Sequence, residues 1–235
     1  MLTRRHFIAT TTALFSPALP LLAQEGTATT EGAELLDAAE APAPRPPVSN
    51  RAMWDAWDAR VTPANYDPST TNPWGFHPRF LPRVVEAKDG LTPGDIHVDA
   101  VARYLYHVRG DGSAIRFGVA IARGNLYEPG SYRIGAKRKW PTWRPTDAMI
   151  EREPQKYEQH ADGMDGGPWN PLGSRALYLF EGRRDTYLRI HGTTSPRSIG
   201  GRASSGCVRM VMAHIIGLYD QVELGKTAHL YPAEA

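Results

Sequence analysis

Among 235 residues there is one thiol, Cys207, in the run Ser204-Ser205-Gly206-Cys207-Val208-Arg209-Met210. Sixteen positions upstream stands His191, in Ile190-His191-Gly192-Thr193. A thiol and an imidazole are the two parts of an activated nucleophile, in which the ring takes a proton and the sulfur attacks an acyl carbon. Gly206 lets the chain turn tightly before the sulfur and lets a substrate approach without a Cβ in the way. The backbone N–H groups of Ser205, Gly206 and Cys207 could then converge on a developing oxyanion. Arg209 cannot lose its charge, so it can bind a substrate carboxylate or hold the loop through its carbonyls. Competing readings are a small buried cysteine and a structural histidine at a strand end. Zinc binding lacks ligand spacing, serine catalysis by Ser204 or Ser205 lacks the nucleophile-elbow glycines, and a redox role would want a second cysteine.

These groups need a frame. Arg103-Tyr104-Leu105-Tyr106-His107-Val108 is rich in strand formers and runs into Gly110-Asp111-Gly112, a hairpin signal, with Ile115 to Ile121 as the return strand. Further strands are expected at Ile96–Val98, Ser131–Ile134, Ala176–Phe180, Tyr187–His191 and Ala228–Tyr231. Val208, Val211, Met212, Ile215, Ile216, Tyr219 and Val222 recur at helical spacing, which predicts one main helix beginning at the cysteine. Its N-terminus would favour the thiolate. Short strands and a single helix predict a mostly β sandwich or barrel. Glycine- and proline-rich connections separate the strands, notably 141–154 and 163–173.

Towards the N-terminus the composition changes twice. Residues 50–94 carry Trp54, Trp57, Trp74, Phe76 and Phe80 among prolines, as expected for an arm packed on the domain by its aromatics, or for a lid or sugar-stacking surface. Residues 24–49 are Ala, Glu, Thr and Pro, a composition that reads as a flexible linker. Residues 1–23 place Arg4 and Arg5 before a broken apolar run, too short to span a bilayer, and resemble a twin-arginine export signal cleaved near Ala23. Export to the periplasm makes an unpaired cysteine unexpected, because an oxidising compartment endangers it, and so asks for a chemical reason. Beyond residue 23 the chain balances at 25 basic and 25 acidic residues, which gives no support to nucleic-acid binding or a charged membrane patch.

Taken together, Ile190-His191-Gly192-Thr193, Pro196, Ile199-Gly200 and the Ser204–Met210 run resemble the signature of L,D-transpeptidase (YkuD-type) catalytic domains. Asn170 to Leu179 resembles the turn and strand that precede the site in that family. The resemblance covers residues 95–232 and implies a β-rich fold, periplasmic work on peptidoglycan stem peptides and no cofactor. By position it makes Cys207 the nucleophile, His191 the general base, Gly192 the residue whose carbonyl orients the imidazole, and Arg209 the contact to substrate or loop. Acyl-enzyme formation at Cys207 on a stem tetrapeptide would lead to 3→3 crosslinks; hydrolysis or attachment of a protein lysine would use the same intermediate. Loops such as 137–154 would choose the acceptor, and a non-catalytic wall-binding scaffold is the reading from another class. Met212 and His214 stand where many members of that family carry Asn and an acid, so a different local geometry is expected at the start of the helix.

Overall fold

A computed structural model describes residues 51–233, so the expected signal at 1–23 and linker at 24–49 lie outside the described residues. The described residues hold four α-helices: α1 (Arg51–Val61), α2 (Asp147–Arg152), α3 (Pro154–Tyr157) and α4 (Met212–Gln221). The first half of the strands comprises β1 (Arg83–Glu86), β2 (Ile96–Asp99), β3 (Tyr104–Val108), β4 (Ser113–Gly118), β5 (Ile121–Ala122) and β6 (Gly130–Lys139). The second half comprises β7 (Arg175–Glu181), β8 (Arg184–Thr193), β9 (Arg202–Ser204), β10 (Val208–Val211) and β11 (Thr227–Leu230). Nine of them form one mixed sheet in the order β1-β4-β3-β2-β11-β6-β7-β8-β10, with β5 and β9 as a separate pair.

The large sheet coils back on itself. Just past β4, Ala120 forms a two-way bridge to Arg209 in β10, at the far end of the strand order. Arg209 N–H donates to the Ala120 carbonyl at 2.8 Å, and the Arg209 carbonyl accepts from Ala120 N–H at 3.0 Å. Inside the coil, Ile96, Leu105, Ile134, Leu177, Ile190 and Ile215 are fully buried in one cluster. The mostly β expectation therefore holds, and β3, β6, β7 and β11 lie where strand composition placed them, whereas the return strand expected at Ile115 to Ile121 ends at Gly118 and Ile121 opens β5 in the separate pair.

The helix start is corrected. Val208–Val211 is a strand, parallel to β8, and α4 begins only at Met212. Val208 and Val211 fit a helical spacing, but Val208 and Met210 also alternate, and both bury completely on one face of β10. Pairing with β8 decides between the two periods. The helix dipole is thereby removed as a source of thiolate stabilisation at Cys207.

Residues 51–94 contribute α1 and also β1, an edge strand that pairs with β4. Asp58 of α1 holds Arg175, which is only 2 % exposed, through two parallel bonds of 2.8 and 2.5 Å. The same carboxylate accepts from Trp140 Nε1 at 3.1 Å, and Trp57 packs edge-on against Trp140. Farther along, Tyr66, Trp74 and Phe76 surround the buried ring of His214 in α4. Neither ring nitrogen of His214 has a hydrogen-bond partner among the described residues, and burial pushes its pKa down to about 3.

Two outcomes are expected. Asp58→Ala leaves a buried guanidinium unpaired and should cost about 3 kcal/mol in denaturant unfolding. The unfolded chain protonates His214 below about pH 6.5, whereas the folded chain resists until about pH 3. Its contribution to stability is thus complete above 6.5 and is lost as the pH falls, by up to about 1.4 kcal/mol per pH unit. His214→Phe should flatten that acid limb in unfolding midpoints measured between pH 7 and 4.

Candidate active site

The pairing of β8 and β10 places the chemistry. Their parallel register sets Val208 beside Ile190, Arg209 beside His191 and Met210 beside Gly192. Ile190, Val208 and Met210 point into the core. Alternation then turns Arg189, His191 and Arg209 to the other face, and Cys207, one residue ahead of β10, joins them. All four line a single cleft of about 730 Å³, along with Ser204, Ser205 and Gly206. Segments 125–128, 142–157 and 171–172 form the rest of its wall together with β8 and Tyr178 of β7, and no lining residue comes from 51–94.

His191 is 4 % exposed and its Nδ1 lies 2.5 Å from the Gly192 carbonyl. A carbonyl only accepts, so Nδ1 carries the proton and Nε2 of the neutral ring is free to act as a base. Burial, then the charge of Arg209, pushes its pKa down to about 3, against opposing backbone hydrogen bonds to Gly192 and Leu172. The Gly192 peptide is itself held closely. Gly173 approaches it with φ +64°, and a Cβ on Gly173 would stand 2.9 Å from the Gly192 carbonyl carbon. Ser174 Oγ then donates to the Met212 carbonyl at 3.0 Å, joining this turn to the start of α4.

Cys207 is partly accessible, and its Sγ donates to the Tyr187 carbonyl at 3.8 Å. Among the described hydrogen bonds none joins Sγ to His191. Burial pushes the thiol pKa up, while the Arg189 backbone N–H and the charges of Arg189 and Arg209 pull the other way. The resting pair is therefore a neutral thiol and a neutral imidazole. Gly206 adopts φ +142°, a conformation that favours glycine, and the Ser204 hydroxyl donates to the Cys207 carbonyl. The N–H groups of Ser205, Gly206 and Cys207 take no partner among the described residues. Arg209 Nε is buried with no partner among the described residues, and burial lowers its pKa.

Several groups at the cleft carry no sequence signal of their own. Tyr157 Oη lies 3.1 Å from Ser205 Oγ, bringing α3 over the cysteine loop. Arg123 ties the same region down through a 2.5 Å contact to Glu153. Arg189 and Asp185, an i,i+4 pair at 2.6 Å, could have been suspected only as a charge pair on an exposed strand.

Residues 93–230 match the model of the L,D-transpeptidase catalytic domain, YkuD. The chain belongs to that family. Among its curated relatives, Escherichia coli "Probable L,D-transpeptidase YbiS" is 30% identical over 164 residues, which are 69% of this chain and 52% of the relative. Escherichia coli "Probable L,D-transpeptidase ErfK/SrfK" is 30% identical over 148 residues, 62% of this chain and 46% of the relative. The chain thus spans about half the length of these relatives. A solved structure from Brucella melitensis, named "Probable carnitine operon oxidoreductase caia", is 48% identical and covers 66% of this chain and 96% of that one. Its TM-score is 0.46, and the likeness carries no weight for the chemistry here.

At Met212 and His214, where a different local geometry was expected, the helix is intact. Met212 opens α4 and accepts from Ser174, and His214 packs among the aromatics of 66–76. Gly173→Ala should displace the Gly192 peptide and with it the imidazole. Acylation of Cys207 by a carbapenem, followed as loss of free thiol, should slow by about 10- to 100-fold while circular dichroism stays unchanged.

Proposed function

We propose that this L,D-transpeptidase family member is an exported cysteine acyltransferase that forms 3→3 crosslinks between peptidoglycan stems. The observation that carries the reading is the common face of β8 and β10, on which Cys207, His191 and Arg209 line one cleft. In this reading residues 1–23 direct export to the periplasm through a twin-arginine pathway, and residues 24–49 give the domain reach.

The donor is a stem tetrapeptide. Cys207 attacks the carbonyl of the L-centre of diaminopimelate as His191 Nε2 takes the thiol proton. Because the resting pair is neutral, that transfer accompanies attack rather than preceding it. Gly192 keeps Nδ1 protonated, and the N–H groups of Ser205, Gly206 and Cys207 receive the oxyanion, each such donor being worth ~3 kcal/mol. His191 returns the proton to the departing D-Ala amine and leaves a thioester on Cys207. The side-chain amine of a second stem then attacks the thioester, His191 takes its proton, and the thiol is restored. Arg209, with a buried unpartnered Nε at the cleft, receives a substrate carboxylate. The wall at 142–152 is the part of the cleft that selects the acceptor.

Incubation with disaccharide-tetrapeptides and mass spectrometry of the products tests the proposal. Crosslinked dimers that have lost one D-Ala are expected. Tripeptide without dimer would make water the acceptor, and the absence of any product would leave a wall-binding scaffold. Cys207→Ala should abolish D-Ala release; release at the wild-type rate would sink the assignment of the nucleophile.

A further inference from the structure

Beside the cysteine, the pairing of β8 with β7 is irregular. Tyr178 pairs with Arg189 and Phe180 with Asp185, so β7 contributes Leu179 alone where β8 contributes Thr186, Tyr187 and Leu188. At the crest of this bulge Tyr187 has φ +62°, a left-handed conformation that a bulky non-glycine residue rarely adopts. The residue is 68% exposed, so burial of the ring does not explain the strain. The conformation instead delivers two backbone groups to the sulfur. The Tyr187 carbonyl accepts from Cys207 Sγ at 3.8 Å, and the Arg189 N–H faces the same atom.

A clamp holds the bulge in this shape. Asp185 Oδ1 accepts from the Tyr187 N–H at 2.9 Å and from Arg189 Nη1 at 2.6 Å, while Oδ2 accepts from Arg189 Nη2 at 2.8 Å. The Arg189 guanidinium lies 3.9 Å above the Tyr178 ring and also donates to the Leu188 carbonyl at 2.9 Å. Thr186 Oγ1 donates to the Leu179 carbonyl at 2.7 Å and accepts from Leu188 N–H at 3.2 Å, taking up polar groups that the broken ladder frees. One carboxylate therefore fixes both ends of a strained turn, and Arg189 is at once the clamp's partner and the residue that offers its N–H.

We infer that Asp185 and Tyr187 are positioning residues for Cys207: the clamped bulge holds the thiol on the Tyr187 carbonyl and receives the thiolate on the Arg189 N–H. The device takes the place of a helix N-terminus, which this cysteine lacks. The inference rests on Cys207 being the nucleophile, but it is read on the thiol itself and needs no peptidoglycan.

Because Cys207 is the only cysteine, alkylation by iodoacetamide reports on it alone. The rate is followed against pH in the full-length chain. Tyr187→Val and Tyr187→Gly both remove an exposed ring, but valine resists positive φ and glycine accepts it. Tyr187→Val should raise the pH midpoint of alkylation by about one unit and slow the reaction at neutral pH about tenfold, with Tyr187→Gly retaining the wild-type profile. Asp185→Ala should resemble Tyr187→Val, and Asp185→Ala combined with Tyr187→Gly should recover. Wild-type profiles in Tyr187→Val, or equal shifts in the valine and glycine variants, would overturn the inference. Inactivity towards muropeptides with the profile shifts intact would remove the proposed reaction and leave this device standing.

Discussion

The short strand Val208–Val211 is paired along one edge and pinned at Arg209 on the other, and the site depends on that double hold. On one edge β10 runs parallel to β8; on the other, Arg209 exchanges both backbone hydrogen bonds with Ala120. The first edge fixes which residues share a face with His191. The second closes the coiled sheet and prevents β10 from sliding, since a slip of one residue would turn Arg209 into the core and Val208 into the cleft. Cys207 sits immediately ahead of this locked segment, with its carbonyl held by Ser204 and Gly206 supplying the turn. The loop can be irregular because β10 is locked on both sides.

The electrostatics of the cleft follow from burial more than from charge. Both members of the proposed Cys207–His191 pair are neutral at rest, because desolvation penalises the thiolate and the imidazolium alike. Arg189 and Arg209 bring positive charge to the sulfur, but the same charges lower the basicity of His191. A preformed ion pair is thereby disfavoured and proton transfer is coupled to attack. Backbone groups carry much of the load: the Gly192 carbonyl on the imidazole, and the Tyr187 carbonyl and Arg189 N–H on the sulfur.

Support for this arrangement comes from behind it. Gly173 and Ser174 press on Gly192 and on the start of α4, and the next residue, Arg175, is buried and held by Asp58 of α1. Segment 51–94 thus packs against the rear of the site rather than across its mouth. His214 belongs to the same support. An acid there would bury a charge among Tyr66, Trp74 and Phe76, whereas a neutral imidazole fits an aromatic surround.

The chemistry-bearing residues were legible in the sequence because residue type and spacing around a lone cysteine restrict what the chain can do. His191, Gly206, Cys207 and Arg209 all line the cleft, and the strands around Leu105, Leu177 and Ala228 follow from local composition. The error at Val208–Val211 has a physical cause: over four residues the apolar pattern fits either period, and only pairing with a strand distant in sequence selects one. Asp185, Tyr187 and Arg189 gave no signal for the same reason. Their importance comes from a bulge created by mismatched lengths of β7 and β8, and from the approach of Cys207 across the sheet. The sequence by itself determined which side chains could react. Tertiary structure alone decided which backbone groups meet the sulfur, because hydrogen bonds between strands depend on register, and register is a property of the assembled sheet.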